Sequence, residues 1–450
     1  MNLFGTDGIR GIANHDLTCK VAFRLGRAIG SYLSPGKNIC VGKDTRISGD
    51  MLEASFAAGI TSTGRDVICL GVVTTPGLSF LVRCLELGGG VMISASHNPF
   101  EYNGLKVFGP DGKKIPDEIE LSISKMISDE TGDECFPTGK GIGRMIDGKQ
   151  YVRRYVEFLR RLPEGDLSGL RILVDTANGS ASHLASDVWK NPGPTVDFIN
   201  FSPDGLNINA QCGSTHPLCL AAEVVGGKYD AGFAYDGDGD RCIAVDEKGR
   251  VLSGDHIMAI MALDMAKDSR LARNTVVGTV MSNFGLERCL SANGIKLLRT
   301  PVGDKFVLEE MDRGGYTLGG EQSGHIIFRD ILQAGDGILT SLLLADVLAR
   351  TGSSLSGLAS VVEEIPQILV NVRVQVPRQV VKLPGVQEAV TKATQSMTGC
   401  GRVLVRPSGT EPVVRIMVES SDGALVEECI EYLKAVIMKE SKKNESDLPA

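Results

Sequence analysis

The sequence predicts an α/β protein made of several related domains. Its 450 residues exceed what one ordinary core accommodates. The hydrophobic share of 42% and the charged share of 23% are typical of a soluble globular protein. A short β-branched run, a glycine-containing polar loop and a helix-like stretch recur in "NICVGKDTRISGD" (38–50), "DVICLGVVTTPG" (66–77), "GLRILVDTANGSA" (169–181), "YDAGFAYDGDGDR" (229–241) and "NTVVGTVMSNFG" (274–285). Buried strands followed by helices favour mixed or parallel sheets covered by helices, which bind ligands beyond the carboxyl ends of their strands.

Three positions along the chain are predicted to separate four domains, which span residues 1–150, 151–254, 255–365 and 366–450. The first boundary follows the glycine- and lysine-rich "PTGKGIGRMIDGKQ", and the second is at the turn "SGD" (253–255). The third precedes "PQILVNVRVQVP", whose alternation predicts a half-exposed strand. With the helix-like "GALVEECIEYLKAVIMKE", this last piece is predicted to be a smaller α+β domain.

Charge and cysteine content exclude several classes of protein. The formal net charge of −8 disfavours a generic nucleic-acid surface, and an anionic substrate would need a local cluster of arginine and lysine. Eleven scattered cysteines without a CxxC pair predict reduced thiols of a cytoplasmic protein. We expect no signal peptide, and no run approaches the ~18 apolar residues of a membrane span.

The strongest local signal is "DGDGDR", in which Asp236, Asp238 and Asp240 alternate with glycines. In extended backbone the three carboxylates would project to the same side and repel one another unless a cation held them, and Mg²⁺ suits such a ligand set. Two alternatives remain: a solvated acidic turn and an EF-hand, in which Glu247 would occupy position twelve. The EF-hand fits poorly, since Arg241 stands where glycine is needed.

A second candidate is "SASHNP" (94–99), where Ser96 stands beside His97. It is compatible with a hydrolase nucleophile, a phosphate acceptor or an ordinary polar turn. A serine hydrolase is disfavoured, because adjacent side chains diverge and there is no G-x-S-x-G elbow. Lys106, ten residues on, is a candidate acid or base, although a surface lysine is the alternative.

Cationic residues occur in loops with glycine, serine and threonine. Each loop taken singly is more often a solvated turn or a structural ion pair, but together they indicate anion capture at more than one point. In "LGGEQSGHIIF" (318–328), alternating polar side chains suit hydrogen bonding to a polyol, with a satisfied loop histidine as the alternative. The candidates for anion capture are Arg10, Lys43, Arg46, Arg406 and Arg415, with Ser408, Gly409 and Thr410 beside Arg406. The candidates for hydrogen bonding to a polyol are Glu321, Ser323 and His325.

Taken in order, "FGTDGIRG", "SASHNP", "DGDGDR", "GGEQSGH" and "RPSGTEP" resemble the α-D-phosphohexomutase family over nearly the whole chain. With "PDGLNINAQCGSTH" (203–216), "VVGTVMSNFGLE" (276–287) and "VGDKFV" (302–307), they are most similar to the bacterial members that act on glucosamine phosphate. The segment "GVVTTPGLSF" carries "VVTTPG" where relatives often have "PMPTPG", and we expect it to lie away from the chemistry.

The resemblance implies three related α/β domains with mixed sheets and a smaller C-terminal domain around a central cleft. It implies that Ser96 is phosphorylated and that its phosphate binds Mg²⁺ together with Asp236, Asp238 and Asp240. Lys106 would handle proton transfer, with His97 and Arg10 near. The substrate contacts that it implies are Arg241, Lys305, Glu321, Ser323 and His325, with Arg406, Ser408, Gly409, Thr410 and Arg415 for the non-reacting phosphate.

The activity that the resemblance implies is that of an isomerase, an intramolecular phosphotransferase that interconverts glucosamine 6-phosphate and glucosamine 1-phosphate. The route would be a phosphoserine enzyme and a sugar bisphosphate, with sugar 1,6-bisphosphate as activator. Glucose or mannose phosphates are alternative substrates, and a non-catalytic sugar-phosphate-binding protein is the alternative from another class. The resemblance further implies amino-sugar metabolism leading to cell-wall precursors, no nucleic-acid or membrane partner, and a possible homodimer.

Overall fold

The computed structural model describes residues 4–5, 8–128, 136–190, 193–408 and 411–446. The chain divides into two compact units, which are described separately. The larger unit comprises residues 1–279 and 298–361, and the smaller comprises residues 280–297 and 362–450. Within the described residues, no helix is both long enough and apolar enough to cross a membrane.

The first sheet of the larger unit is mixed and has the strand order β1-β5-β4-β2-β3-β6. Its strands are β1 (Ile9–Ile12), β2 (Ile39–Lys43), β3 (Val67–Val72), β4 (Gly89–Ile93), β5 (Tyr102–Phe108) and β6 (Met145–Asp147). Its helices are α1 (Cys19–Tyr32), α2 (Gly49–Ser62), α3 (Thr75–Cys84) and α4 (Asp117–Ser128). The central strand β4, "GGVMI", is buried throughout, as expected of a strand with both faces covered. It pairs in parallel with β2 and antiparallel with β5.

The second sheet is also mixed, in the order β11-β10-β9-β7-β8. Its strands are β7 (Arg171–Asp175), β8 (Thr195–Ile199), β9 (Ala231–Tyr235), β10 (Cys242–Asp246) and β11 (Val251–Leu252). The neighbouring helices are α5 (Val152–Leu159), α6 (Ala181–Trp189) and α7 (Leu218–Gly227). One prediction is wrong here: the segment 229–241 leads from β9 into the antiparallel strand β10 rather than into a helix.

The third sheet has the order β13-β12-β14-β15. Its strands are β12 (Thr275–Thr279), β13 (Lys296–Thr300), β14 (Leu318–Gly320) and β15 (Ile326–Phe328). The helices of this part of the chain are α8 (Gly254–Lys267), α9 (Phe284–Ala292), α10 (Asp304–Gly314), α11 (Gly337–Thr351) and α12 (Leu355–Ala359). The predicted turn "SGD" instead begins α8, with Ser253 at its N-cap position.

The smaller unit contains α9 and an antiparallel sheet in the order β16-β18-β17. Its strands are β16 (Gln367–Arg373), β17 (Gly401–Pro407) and β18 (Val413–Ser420), with helices α13 (Pro377–Val380), α14 (Pro384–Ser396) and α15 (Gly423–Ser446). The half-exposed strand and the long final helix predicted from the sequence are both present. The predicted fold class, mixed α/β sheets followed by a smaller α+β piece, is confirmed. The positions of the three domain boundaries stay a prediction.

Candidate active site

Ser96 lies in the loop that joins β4 to the antiparallel strand β5. Its backbone is left-handed, with φ of 53°, a conformation that a non-glycine residue adopts only at a cost. Its amide donates a hydrogen bond to the Ser94 hydroxyl at 3.0 Å. The side chain is buried, and its hydroxyl donates to Asp236 Oδ2 at 2.6 Å. The loop therefore aims a strained, desolvated serine directly at the acidic segment.

The three aspartates occupy the tight loop between β9 and β10, and all three are buried. Their oxygens come within 4.8 Å of one another. The predicted extended backbone is wrong: a turn brings the carboxylates together, with the Gly239 amide donating to the Asp236 carbonyl at 3.1 Å. Gly237 is needed for the approach, because a Cβ there would lie 2.5 Å from the Ser96 carbonyl oxygen. Burial excludes the solvated turn, and the flanking strands exclude the EF-hand.

Lys106 is buried rather than on the surface. It lies on β5, opposite Met92 of β4, so the hairpin returns it towards the serine loop. Its Nζ donates to Asp238 Oδ2 at 2.8 Å and lies 3.9 Å from Asp240 Oδ2. Thr75, at the start of α3, donates its hydroxyl to the same Asp238 oxygen at 2.5 Å. Its amide also donates to the Asp238 carbonyl at 2.9 Å.

Negative charge in the triad is only partly compensated. Burial raises the pKa of Asp236 well above its usual value, and the neighbouring charges of Asp240 and Asp238 raise it further. Burial acts in the same direction on Asp240, but Lys106, His325 and Arg241 outweigh it and lower the pKa of that carboxyl. Asp238 Oδ1 and Asp240 Oδ1 are buried acceptors for which the described part of the chain supplies no hydrogen-bond donor. Oxygen ligands left open in this way fit a hard divalent cation.

His97 lies beside the serine in a cationic environment. Its Nδ1 is 3.5 Å from Ser96 Oγ and accepts from Arg241 NH1 at 3.3 Å. Burial lowers the pKa of His97, and the charges of Arg241 and Arg10 lower it further, which favours the neutral form of the ring. Arg10 enters this region because β1 pairs with β5, where Arg10 stands opposite Gly104.

The predicted sugar-binding array is the hairpin turn between β14 and β15. Glu321 accepts from the Gly303 amide at 3.1 Å, and Ser323 is exposed. His325 differs from Glu321 and Ser323 because its side chain is buried against the acidic triad. Its Nδ1 lies 3.6 Å from Asp240 Oδ2. Burial lowers its pKa, but the carboxylates of Asp240 and Asp304 reverse this and raise it to about 9. Lys305 forms an ion pair with Asp117.

The smaller unit holds the predicted phosphate loop. Arg406 of β17 stands directly opposite Arg415 of β18, and the Arg415 guanidinium donates to the Glu411 carboxylate at 2.8 Å. Burial lowers the pKa of Arg406, and the charge of Arg415 lowers it further. Ser408 is buried and its hydroxyl accepts from the Glu411 amide at 3.3 Å. Gly409 and Thr410 lie outside the described residues.

Lys43 and Arg46 form structural ion pairs, the alternative that each loop taken singly allowed, and neither is an anion site. Lys43 pairs with Asp50 and Glu53. Arg46 binds Asp44 and main-chain carbonyls. The segment "VVTTPG" does touch the site, through Thr75.

Asn209 is a further residue of this region that the sequence analysis missed; its carboxamide donates to the Ser96 carbonyl at 2.9 Å. Its only signal in the sequence was its place within "PDGLNINAQCGSTH".

Comparison with known proteins identifies the class to which this fold and site belong. Profiles of the phosphoglucomutase/phosphomannomutase family match α/β/α domain I at residues 1–133, domain II at 149–249, domain III at 253–365 and the C-terminal domain at 369–436. The chain belongs to this family, the α-D-phosphohexomutases.

Individual relatives narrow the comparison. The chain is 47% identical to the phosphoglucosamine mutase of Clostridioides difficile, over 96% of this chain and 98% of that protein. It is 48% identical to the phosphoglucosamine mutase of Desulforudis audaxviator, over 97% of each chain. Among solved structures, a phosphoglucomutase/phosphomannomutase family protein from Burkholderia thailandensis superposes with a TM-score of 0.82 at 26% identity, over 98% of this chain and 97% of that one.

Proposed function

We propose that this protein is an isomerase that interconverts glucosamine 6-phosphate and glucosamine 1-phosphate. The observation that carries the chemistry is the contact between the Ser96 hydroxyl and Asp236, which joins a buried serine to a buried acidic triad. Support for the sugar comes from relatives named phosphoglucosamine mutase, which are 47–48% identical over nearly the full length of both chains. Amino-sugar metabolism that supplies bacterial cell-wall precursors is the corresponding pathway.

The reaction consists of two phosphoryl transfers. In the first, the bond between Ser96 Oγ and phosphorus breaks while a sugar hydroxyl bonds to the same phosphorus, which gives a sugar bisphosphate and a free serine. After the bisphosphate has turned end for end, the bond between its other phosphorus and the sugar oxygen breaks while Ser96 Oγ bonds to that phosphorus. The isomerised sugar monophosphate then leaves. The transition state is loose, so positioning and charge stabilisation account for most of the catalysis.

The chain's own residues supply the acid–base chemistry. We propose that Lys106, whose Nζ lies 2.8 Å from Asp238 Oδ2, handles proton transfer with the sugar hydroxyl, with His97 and Arg10 near it. Asp236, Asp238 and Asp240, with the phosphate on Ser96, would hold Mg²⁺, which neutralises negative charge on the transferring phosphoryl group. Glu321 and Ser323 are candidates for contacts with sugar hydroxyls, and Arg241, Lys305 and His325 are further candidates for substrate contacts.

A phosphate on the substrate needs a second anion site. Arg406 and Arg415 in the smaller unit support phosphate binding there, since two guanidinium groups on facing strand positions outnumber the one carboxylate, Glu411, that pairs with Arg415. We propose Ser408, Gly409 and Thr410 as further donors of this site. A sugar 1,6-bisphosphate would act as activator, because it restores phosphate to a Ser96 that has lost it.

The test is isomerisation of glucosamine 6-phosphate with Mg²⁺ and trace sugar bisphosphate, run beside glucose 1-phosphate and mannose 1-phosphate. Fast turnover of glucosamine phosphate that Ser96→Ala abolishes would support the proposal. Preference for glucose or mannose would keep the mechanism and change the substrate. Steady release of inorganic phosphate would indicate a hydrolase instead. Failure of phosphorylated protein to isomerise any sugar would favour a binding protein.

A further inference from the structure

The main chain of the serine loop is held from two sides by side chains that come from distant parts of the sequence. Arg46, between β2 and α2, has a fully buried guanidinium. Its NH2 donates to the carbonyl oxygens of Ser96 at 2.9 Å and Asn98 at 2.8 Å, and its NH1 donates to that of Pro99. The guanidinium therefore spans the whole turn that follows the serine.

Asn209 reaches the same two carbonyls from the second sheet's loops. Its Nδ2 donates to Ser96 O at 2.9 Å and to Asn98 O at 3.1 Å. The backbone of Asn209 is itself left-handed, with φ of 58°, and its amide donates to the Ala177 carbonyl at 2.9 Å. Two independent donors thus converge on one carbonyl, that of the residue whose backbone is strained.

The orientation of Arg46 is fixed by a buried carboxylate. Arg46 Nε donates to Asp44 Oδ2 at 2.9 Å, and the same oxygen accepts from Ser94 Oγ at 2.5 Å. Ser94 Oγ in turn accepts from the Ser96 amide at 3.0 Å. The Ser96 amide and the Ser96 carbonyl are therefore both connected to Arg46, one through Ser94 and Asp44 and the other directly.

We propose that Arg46 and Asn209 are positioning residues for phosphoryl transfer, which hold the Ser96 loop in its left-handed conformation and so fix the direction of Oγ. The inference rests on the proposed role of Ser96 as phosphate carrier. Neither residue touches the reacting atoms, so their effect passes through the main chain of the loop. Alignment of attacking and leaving oxygens is sensitive to shifts of about 1 Å, which can cost about 100-fold in rate.

Two variants test the proposal at different ends of the contact. Arg46→Lys keeps the buried charge but cannot span three carbonyls, and Asn209→Gly removes the carboxamide while tolerating the positive φ. Each is expected to lower kcat by roughly 10- to 100-fold while KM changes less than about threefold, because the loss concerns alignment rather than substrate contacts.

Arg65→Lys is the matched control. The Arg65 guanidinium also binds main-chain carbonyls of the first domain, among them Gly30 O at 3.2 Å and Ser34 O at 3.0 Å, but away from the serine loop. We expect it to lower the melting temperature as Arg46→Lys does and to leave kcat within about twofold. Equal losses of kcat in Arg46→Lys and Arg65→Lys would reduce Arg46 to a structural role.

The ³¹P NMR signal of phosphoserine 96, recorded on phosphorylated protein without sugar, provides a readout that does not depend on turnover. Arg46→Lys and Asn209→Gly should shift or broaden the signal, and Arg65→Lys should not. Unchanged spectra and unchanged kcat in both variants would overturn the inference. If the wild-type protein carries phosphate but isomerises no sugar, the proposed function fails, whereas the spectra still test the positioning of the loop.

Discussion

Replacement of Lys106 by methionine tests whether the buried lysine balances the acidic triad. Its Nζ lies 2.8 Å from Asp238 and 3.9 Å from Asp240, and the lysine side chain is 1% exposed. Removal of one partner of a buried ion pair typically costs about 3–5 kcal/mol, because an uncompensated charge stays behind. Since two carboxylates lose the same cation here, we expect a loss in the upper part of that range.

The assay is thermal and urea unfolding of the full chain at neutral pH in EDTA. A loss of this size should lower the unfolding transition on the order of 10 °C. The matched control is Lys113→Met, which removes a half-exposed ion pair with Asp312 and should cost less than about 1 kcal/mol. Lys106→Met should also reduce turnover by roughly 100- to 10,000-fold, as expected for a group that assists charge and proton movement.

Saturating Mg²⁺ should narrow the stability difference between Lys106→Met and the wild type, because a bound cation supplies part of the missing charge. Stability of Lys106→Met within about 1 kcal/mol of the wild type in EDTA would refute the charge argument. A large difference that Mg²⁺ leaves unchanged would instead show that the cation does not compensate for the loss of the Lys106 charge.

Three further changes concern Ser96, Thr75 and Asp336, which is the buried N-cap residue of α11 and accepts a hydrogen bond from the Tyr155 hydroxyl at 2.5 Å. Ser96→Ala should abolish isomerisation and leave the melting temperature nearly unchanged; residual turnover would exclude Ser96 as the phosphate carrier. Burial raises the pKa of Asp336 to about 6, so the folded protein binds this proton more tightly than the unfolded chain does. The stability that proton binding contributes is therefore complete at low pH and is lost as the pH rises through 6. Asp336→Asn should therefore gain up to about 3 kcal/mol relative to the wild type between pH 4 and pH 7, measured by urea unfolding, and parallel curves would contradict this. Thr75→Val should weaken activation by Mg²⁺ by roughly 10- to 100-fold, because Asp238 loses the hydroxyl that orients it, while Thr75→Ser should not.

The sheets were largely predictable because their signals are local. An apolar β-branched run that ends in a glycine-containing loop indicates a buried strand wherever it occurs, and β2, β3, β7 and β12 follow this rule. The exception is 229–241, where the loop after β9 returns as a strand. Its three aspartates were predicted to converge through extended backbone. The turn closed by Gly239 achieves the convergence instead, and i, i+2 spacing does not distinguish the two geometries.

The contacts that assemble the site were not predictable from the residues themselves. Ser96 and Asp236 are 140 positions apart, and Thr75 and Asp238 are 163 apart. No periodicity or composition specifies which loop meets which at such separations. The proximity of Ser96 to the triad could be predicted only from the ordered set of motifs that resembles a known family. That similarity carried no information about Arg46 or Thr75, whose partners are carbonyls and a carboxylate rather than a ligand.

Incomplete compensation of the triad is itself informative about function. Lys106 and Thr75 both bind Asp238 Oδ2, while Asp238 Oδ1 and Asp240 Oδ1 lack donors among the described residues. A triad that served stability alone would be expected to have every buried oxygen satisfied. Here Lys106 and Thr75 orient Asp238 through one oxygen, while Asp238 Oδ1 and Asp240 Oδ1 stay available for a cation in a triad that also binds the Ser96 hydroxyl through Asp236. A cation bound by those oxygens would offset the negative charge that the proposed phosphate on Ser96 would bring, so the proposed metal site and the proposed phosphoserine depend on each other.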